Sequence, residues 1–138
     1  YVFMISKSLQ ETEVFAQELL NTIKTNVVGL YGDLGSGKTA LTKAIAKQLD
    51  IQEEITSPTF VIAKFYPIKN PKYIQLIHID AYRLEHFSEL ESLGFKEWCA
   101  DPKNLIVIEW PEKVVEILPL HDRVNCEFVN ETTREYTL

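Results

Sequence analysis

The sequence has 138 residues, 46% apolar and 25% charged, with a formal net charge of −6; it suits one ordinary globular domain and excludes a disordered chain. No run approaches the roughly 18 apolar residues of a membrane span, and Tyr1–Lys7 lacks a basic leader and a long apolar stretch, so neither a membrane segment nor a signal peptide is expected. Lys43, Lys47, Lys64, Lys69 and Lys72 are scattered without a dense basic run, a poor basis for gripping a polyanion unaided.

In chain order, Val2–Ile5 reads as a short apolar strand. Ser8 followed by Glu11 fits a capping box, and Phe15, Leu19 and Ile23 recur at helical spacing behind it. Asn26–Tyr31 is a compact apolar strand that runs directly into Gly32–Thr39. Leu41, Ala44, Ile45 and Leu49 then mark an amphipathic helix. Phe60–Phe65 and Tyr73–Asp80 read as strands, separated by a turn rich in proline at Tyr66–Lys72. Ser88–Trp98 reads as helix interrupted at Gly94, Asn104–Ile108 as a strand ending at Glu109, and Pro111–Leu118 as a short helix. Arg123–Val129 and Arg134–Leu138 form a terminal hairpin. The alternation predicts an α/β fold: a single three-layer P-loop NTPase-like domain over residues 1–138, with a mixed, mainly parallel central sheet. The fully apolar strands at 27–31 and 105–108 belong at its centre.

Gly32-Asp33-Leu34-Gly35-Ser36-Gly37-Lys38-Thr39 satisfies G-x-x-x-x-G-K-[ST], with a buried strand before it and a helix after it. The glycines let main-chain amides approach phosphate oxygens, and those amides converge at a helix N-terminus, whose dipole favours anions. Lys38 supplies a point charge for the β and γ phosphates. The Thr39 hydroxyl suits Mg²⁺, a hard cation that prefers oxygen.

Phosphate chemistry also needs carboxylates at the end of a neighbouring strand. Glu109 closes Leu105–Ile108 in a Walker B arrangement, and Asp80 closes Leu76–Ile79 in the same manner. The residues leave open which of the two holds the metal and which orients water. Ser57 or Thr59, beside Pro58, offers a hydroxyl where P-loop proteins sense a γ-phosphate. His78 shares a strand face with Asp80, as a structural histidine or as part of the site. Tyr82 and Arg83 suit a partner surface or an internal contact, and Trp110 suits the core or a docking face. Cys99 and Cys126 lack metal or redox spacing and read as reduced thiols of a cytoplasmic protein.

Gly32–Thr39, Thr56-Ser57-Pro58-Thr59-Phe60, His78-Ile79-Asp80-Ala81-Tyr82-Arg83-Leu84 and Ile108-Glu109-Trp110-Pro111, in this order and spacing, resemble the TsaE family, the ATPase component of bacterial tRNA threonylcarbamoyladenosine synthesis. The resemblance runs from about Phe15 to Pro119. It implies ATP and Mg²⁺ as cofactors and the proteins TsaB and TsaD as partners. In that picture TsaD transfers the threonylcarbamoyl group to an adenosine beside the anticodon, ATP hydrolysis resets the assembly between turnovers, and the partners hold most of the tRNA. The resemblance assigns nucleotide contacts to Asp33, Gly35, Ser36, Gly37, Lys38, Thr39 and Ala40. Thr12 in the first helix and Arg134 in the last strand join them. It makes Thr39 and Glu109 the metal ligands, and Lys38, Asp80 and Glu109 the catalytic set.

Two other functions fit a P-loop. A small-molecule kinase needs several lid arginines, and only Arg83, Arg123 and Arg134 are present, none close to another in sequence. A GTPase switch needs Asn-Lys-x-Asp on a late strand, and the stretch around Lys103-Asn104 supplies none.

Overall fold

A strand that is apolar on both sides must have both faces covered, and Asn104–Glu109 shows how this chain does it. Leu105 and Val107 point into one core cluster, while Ile106 and Ile108 point into a second on the opposite face of the sheet. The computed structural model describes residues 2–58 and 60–138. Its elements are β1 (Phe3–Ser6), α1 (Leu9–Thr22), β2 (Val27–Tyr31), α2 (Lys38–Gln48), β3 (Ala63–Pro67), β4 (Gln75–Asp80), α3 (Ser88–Glu91), α4 (Phe95–Ala100), β5 (Asn104–Glu109), a 3₁₀ helix (Pro111–Ile117), β6 (Asp122–Asn130) and β7 (Thr133–Thr137).

The strands form one seven-stranded sheet in the order β1-β7-β6-β2-β5-β4-β3. β6, β2, β5 and β4 pair in parallel at its centre, and the pairings β1–β7, β7–β6 and β4–β3 are antiparallel. Five strands therefore share one direction, as a mainly parallel sheet requires, and β2 and β5 sit side by side in the middle. Phe15 and Leu19 of α1 and Leu41 and Ile45 of α2 close one face over Leu30, Leu76 and Val107. Leu90, Phe95, Val114 and Ile117 close the other over Ile77, Ile79 and Ile106. These are the three layers.

The capping box at the start of α1 forms with a shift of one residue. Ser8 Oγ accepts from the Glu11 amide at 3.1 Å, and Glu11 Oε2 accepts from the amide of Lys7, not of Ser8, at 3.0 Å. At Gly94, φ is +111°, and the helix over Ser88–Trp98 is interrupted there as expected, giving two short helices. Pro111–Ile117 is 3₁₀ rather than α, with a kink at Val114.

The strand expected over Phe60–Phe65 begins only at Ala63. Residues 60–62 form a turn in which the amides of Val61 and Ile62 both bond to the Pro58 carbonyl. Ile62 has φ +69°, outside the extended region, and Phe60 is 86% exposed. Apolar composition suggests a strand here, but the backbone turns. The next strand likewise starts at Gln75, two residues later than Tyr73.

Candidate functional site

Side-chain alternation along the central strands decides which polar groups meet. In β4, Leu76 faces α1 and α2 while Ile77 and Ile79 face the other layer, so His78 and Asp80 lie on the α2 side. In β5, Val107 faces α2, and Glu109 follows it on that side. The parallel register sets Asp80 beside Glu109. Two carboxylates thus stand together at the carboxyl ends of adjacent strands, next to the loop that joins β2 to α2.

That loop is held by tight backbone packing. Gly32 has φ +148°, and a Cβ there would strike the Cys126 carbonyl oxygen and stand 2.7 Å from Ser36 Oγ. Gly37 has φ +97°, and a Cβ there would run into the Tyr136 hydroxyl. α2 begins directly after Gly37 with no side-chain cap, and its first helical bond runs from the Leu41 amide to the Gly37 carbonyl at 2.9 Å. The amides of Lys38, Thr39 and Ala40 are therefore the donors a helix start offers to an anion.

Lys38 is 5% exposed. Its Nζ donates to the carbonyls of Gly32 and Asp33, the latter at 2.9 Å, and stands 4.2 Å from the centre of the Trp110 ring. Burial holds its pKa below the ordinary lysine range, against the opposing pull of Glu109. Trp110 occupies the left-handed region at φ +60°, an unfavourable conformation for so bulky a residue, and packs against Tyr82 with ring centres 4.8 Å apart.

Thr39 Oγ1 lies 3.5 Å from Glu109 Oε1, while Glu109 Oε2 is 2.6 Å from His78 Nε2. Asp80 Oδ1 accepts from the Tyr82 amide at 3.0 Å. A cavity of about 530 Å³ lies over these groups, with Gly35 to Ala40 along its floor and Asp80, Glu109 and Trp110 along its wall. Ser57, Arg83 and Arg134 also line it, which brings together two arginines far apart in the sequence.

Gly35, Ser36, Gly37, Lys38, Thr39, Ala40, Asp80, Glu109 and Arg134 thus meet in one place. Thr12 and Asp33 lie beside it. Thr12 is buried, with its hydroxyl 2.7 Å from Ser6 Oγ, and lines an adjoining cavity of about 350 Å³ that shares Gly37, Ala40 and Arg134 with the first. Asp33 borders a different cavity, with Arg123, and serves the loop through its carbonyl. The Arg134 guanidinium donates to the carbonyls of Asn130 at 2.6 Å and Thr133 at 3.1 Å. Thr59 lies outside the described residues.

Tyr136 escapes sequence reasoning. Its hydroxyl donates to the Gly37 carbonyl at 3.1 Å, and its ring stacks on Phe15 at 5.2 Å. The available signal is its place two residues after Arg134, on the same face of a strand.

A family model described as threonylcarbamoyl adenosine biosynthesis protein TsaE matches residues 6–136. The chain belongs to the TsaE family. Among relatives named tRNA threonylcarbamoyladenosine biosynthesis protein TsaE, that of Treponema pallidum is 34% identical over 136 residues, 97% of each chain. That of Mycobacterium tuberculosis is 41% identical over 99 residues, which are 67% of this chain but only 58% of the mycobacterial one. The chain therefore spans less than two thirds of that longer relative. The crystal structure of Bacillus subtilis YdiB superposes with a TM-score of 0.74 at 27% identity, over 98% of this chain and 82% of that one. Among the described residues no helix is long and apolar enough to cross a membrane, and no cluster of three His, Cys, Asp or Glu side chains forms a ready metal cage.

Proposed function

We propose that this chain binds ATP with Mg²⁺ over Gly35–Ala40 and hydrolyses it, acting with TsaB and TsaD in the formation of tRNA threonylcarbamoyladenosine. The observation that carries this reading is one cavity in which an uncapped helix start, a buried ammonium, a hydroxyl–carboxylate pair and a second strand-end carboxylate converge.

Phosphate oxygens would replace the Gly32 and Asp33 carbonyls as acceptors for Lys38, whose desolvated charge acts strongly on an anion. Among the described residues Ser36 Oγ is buried without a hydrogen-bond partner, as suits a donor awaiting an acceptor. The donors around Thr39 fit Mg²⁺, because hydroxyl and carboxylate oxygens, substrate phosphates and retained waters are what that ion takes in the absence of a protein cage. Thr39 and Glu109 would hold it, and bound there it would neutralise charge building on the phosphates. Asp80, anchored by the Tyr82 amide, orients the attacking water. With a net charge of −6 and scattered lysines, the chain leaves the tRNA to its partners.

Phosphate release by the full chain, measured with and without a TsaB–TsaD pair, tests the proposal. ATP should raise the melting temperature more than GTP, and the pair should increase release. Glu109→Gln should slow release about 10²-fold while ATP still stabilises the fold. Release unaffected by that change, or no ATP-dependent stabilisation, contradicts the reading. Transfer of phosphate to a small acceptor, with no free phosphate, would indicate a kinase instead.

A further inference from the structure

Glu109 divides its two oxygens between different partners. Oε1 is turned toward Thr39 Oγ1 and the cavity, while Oε2 is held by His78 Nε2 at 2.6 Å. His78 is fully buried in the middle strand of β3, β4 and β5, below the carboxylates rather than among them. It is not among the described residues that line the cavity. Its other ring nitrogen, Nδ1, is buried with no hydrogen-bond partner among the described residues.

That arrangement selects one form of the ring. A proton on Nδ1 would leave a buried donor unpaired and set the Nε2 lone pair against the carboxylate. A proton on Nε2 satisfies Glu109 and leaves only a bare acceptor at Nδ1. We propose that His78 is a positioning residue: its Nε2–H pins Glu109 so that one carboxylate oxygen stays turned toward Thr39 for a divalent cation. This rests on the nucleotide-and-metal reading of the site given above.

The choice of histidine has a chemical reason. An arginine or lysine here would also fix the carboxylate, but its full charge would repel a dication and weaken the ligand. A ring N–H fixes one carboxylate oxygen from within the sheet and leaves the other turned toward the cavity for the metal. β-strand alternation makes the placement possible, because His78 precedes Asp80 by two positions and shares its face.

The test uses the full chain with a non-hydrolysable ATP analogue and Mn²⁺, whose binding is read by electron paramagnetic resonance. His78→Leu removes the donor, and His78→Gln retains an N–H near the Nε2 position. His78→Leu should weaken Mn²⁺ binding in the ternary complex about 10- to 100-fold. Metal-free binding of the analogue should change less than about twofold, and His78→Gln should recover most of the loss. Nitrogen NMR of the unsubstituted protein should show the Nε2–H tautomer, a readout that does not depend on either variant folding. A ring protonated at Nδ1 overturns the inference, as does unchanged Mn²⁺ affinity in His78→Leu, or equal loss in both variants. If the unsubstituted chain binds neither analogue nor Mn²⁺, the nucleotide reading falls and the inference falls with it. If it binds both and the His78 variants match it, only the inference falls.

Discussion

The Tyr136 hydroxyl donates to the carbonyl of Gly37 at 3.1 Å, across 99 residues of chain. The bond ties strand β7 to the residue that starts α2, and the Tyr136 ring is fully buried against Phe15 of α1. Tyr136→Phe keeps the ring and removes only the bond. It should cost about 1 kcal/mol of stability, read from urea unfolding, because the Gly37 carbonyl keeps its bond from Leu41. An unchanged midpoint would show that the bond contributes nothing.

Two glycines of the loop should respond differently to alanine. Gly35 has φ +79° with open space around it, so Gly35→Ala meets only the backbone penalty, about 1 kcal/mol. Gly37 has φ +97° and the Tyr136 hydroxyl in the way, so Gly37→Ala adds a steric clash and should cost roughly 2–4 kcal/mol. Thermal unfolding of the two variants checks the order, and equal costs would show that β7 yields freely.

Lys38→Ala should lower affinity for ATP about 10- to 100-fold, as loss of charged hydrogen bonds would, without disrupting the sheet. Isothermal titration gives the affinity and circular dichroism the fold. Unaltered affinity would remove Lys38 from the site.

Burial pushes the Cys126 thiol up to about 12 from an ordinary value of 9.0. The folded protein therefore keeps this proton at a pH where the unfolded chain releases it. The corresponding stability is present in full below pH 9 and is lost as the pH rises toward 12, at about 1.4 kcal/mol per pH unit. Unfolding midpoints between pH 8 and pH 10.5 should fall less steeply for Cys126→Ala than for the unsubstituted chain. In the native protein at pH 8 this thiol should also resist alkylation. Identical slopes, or rapid labelling, would contradict the burial.

The convergence of the candidate site residues was largely legible in one dimension wherever local chemistry dictates geometry. Glycines at fixed spacing before Lys38 and Thr39 have few uses besides a phosphate loop, and acids closing the apolar runs at Asp80 and Glu109 lie at strand ends by the logic of burial. Reading failed at Phe60–Ile62, where apolar side chains sit on a turn held by the Pro58 carbonyl. At residues 60–62 apolar composition does not mark burial, since Phe60 and Val61 are exposed, and the backbone direction is decided by local hydrogen bonds to Pro58. At Ser88–Trp98 the break expected at Gly94 is where the structure puts it, because the left-handed glycine ends one short helix and opens the next.

What the chain determined by itself was a mixed α/β sheet with a glycine-rich loop at its centre, because periodicity and glycine spacing are local properties. Only the folded structure decided that His78 would hold Glu109, that Tyr136 would brace Gly37, and that Arg83 and Arg134 would line one cavity. Those meetings depend on strand order and register, which are settled by contacts between segments distant along the chain.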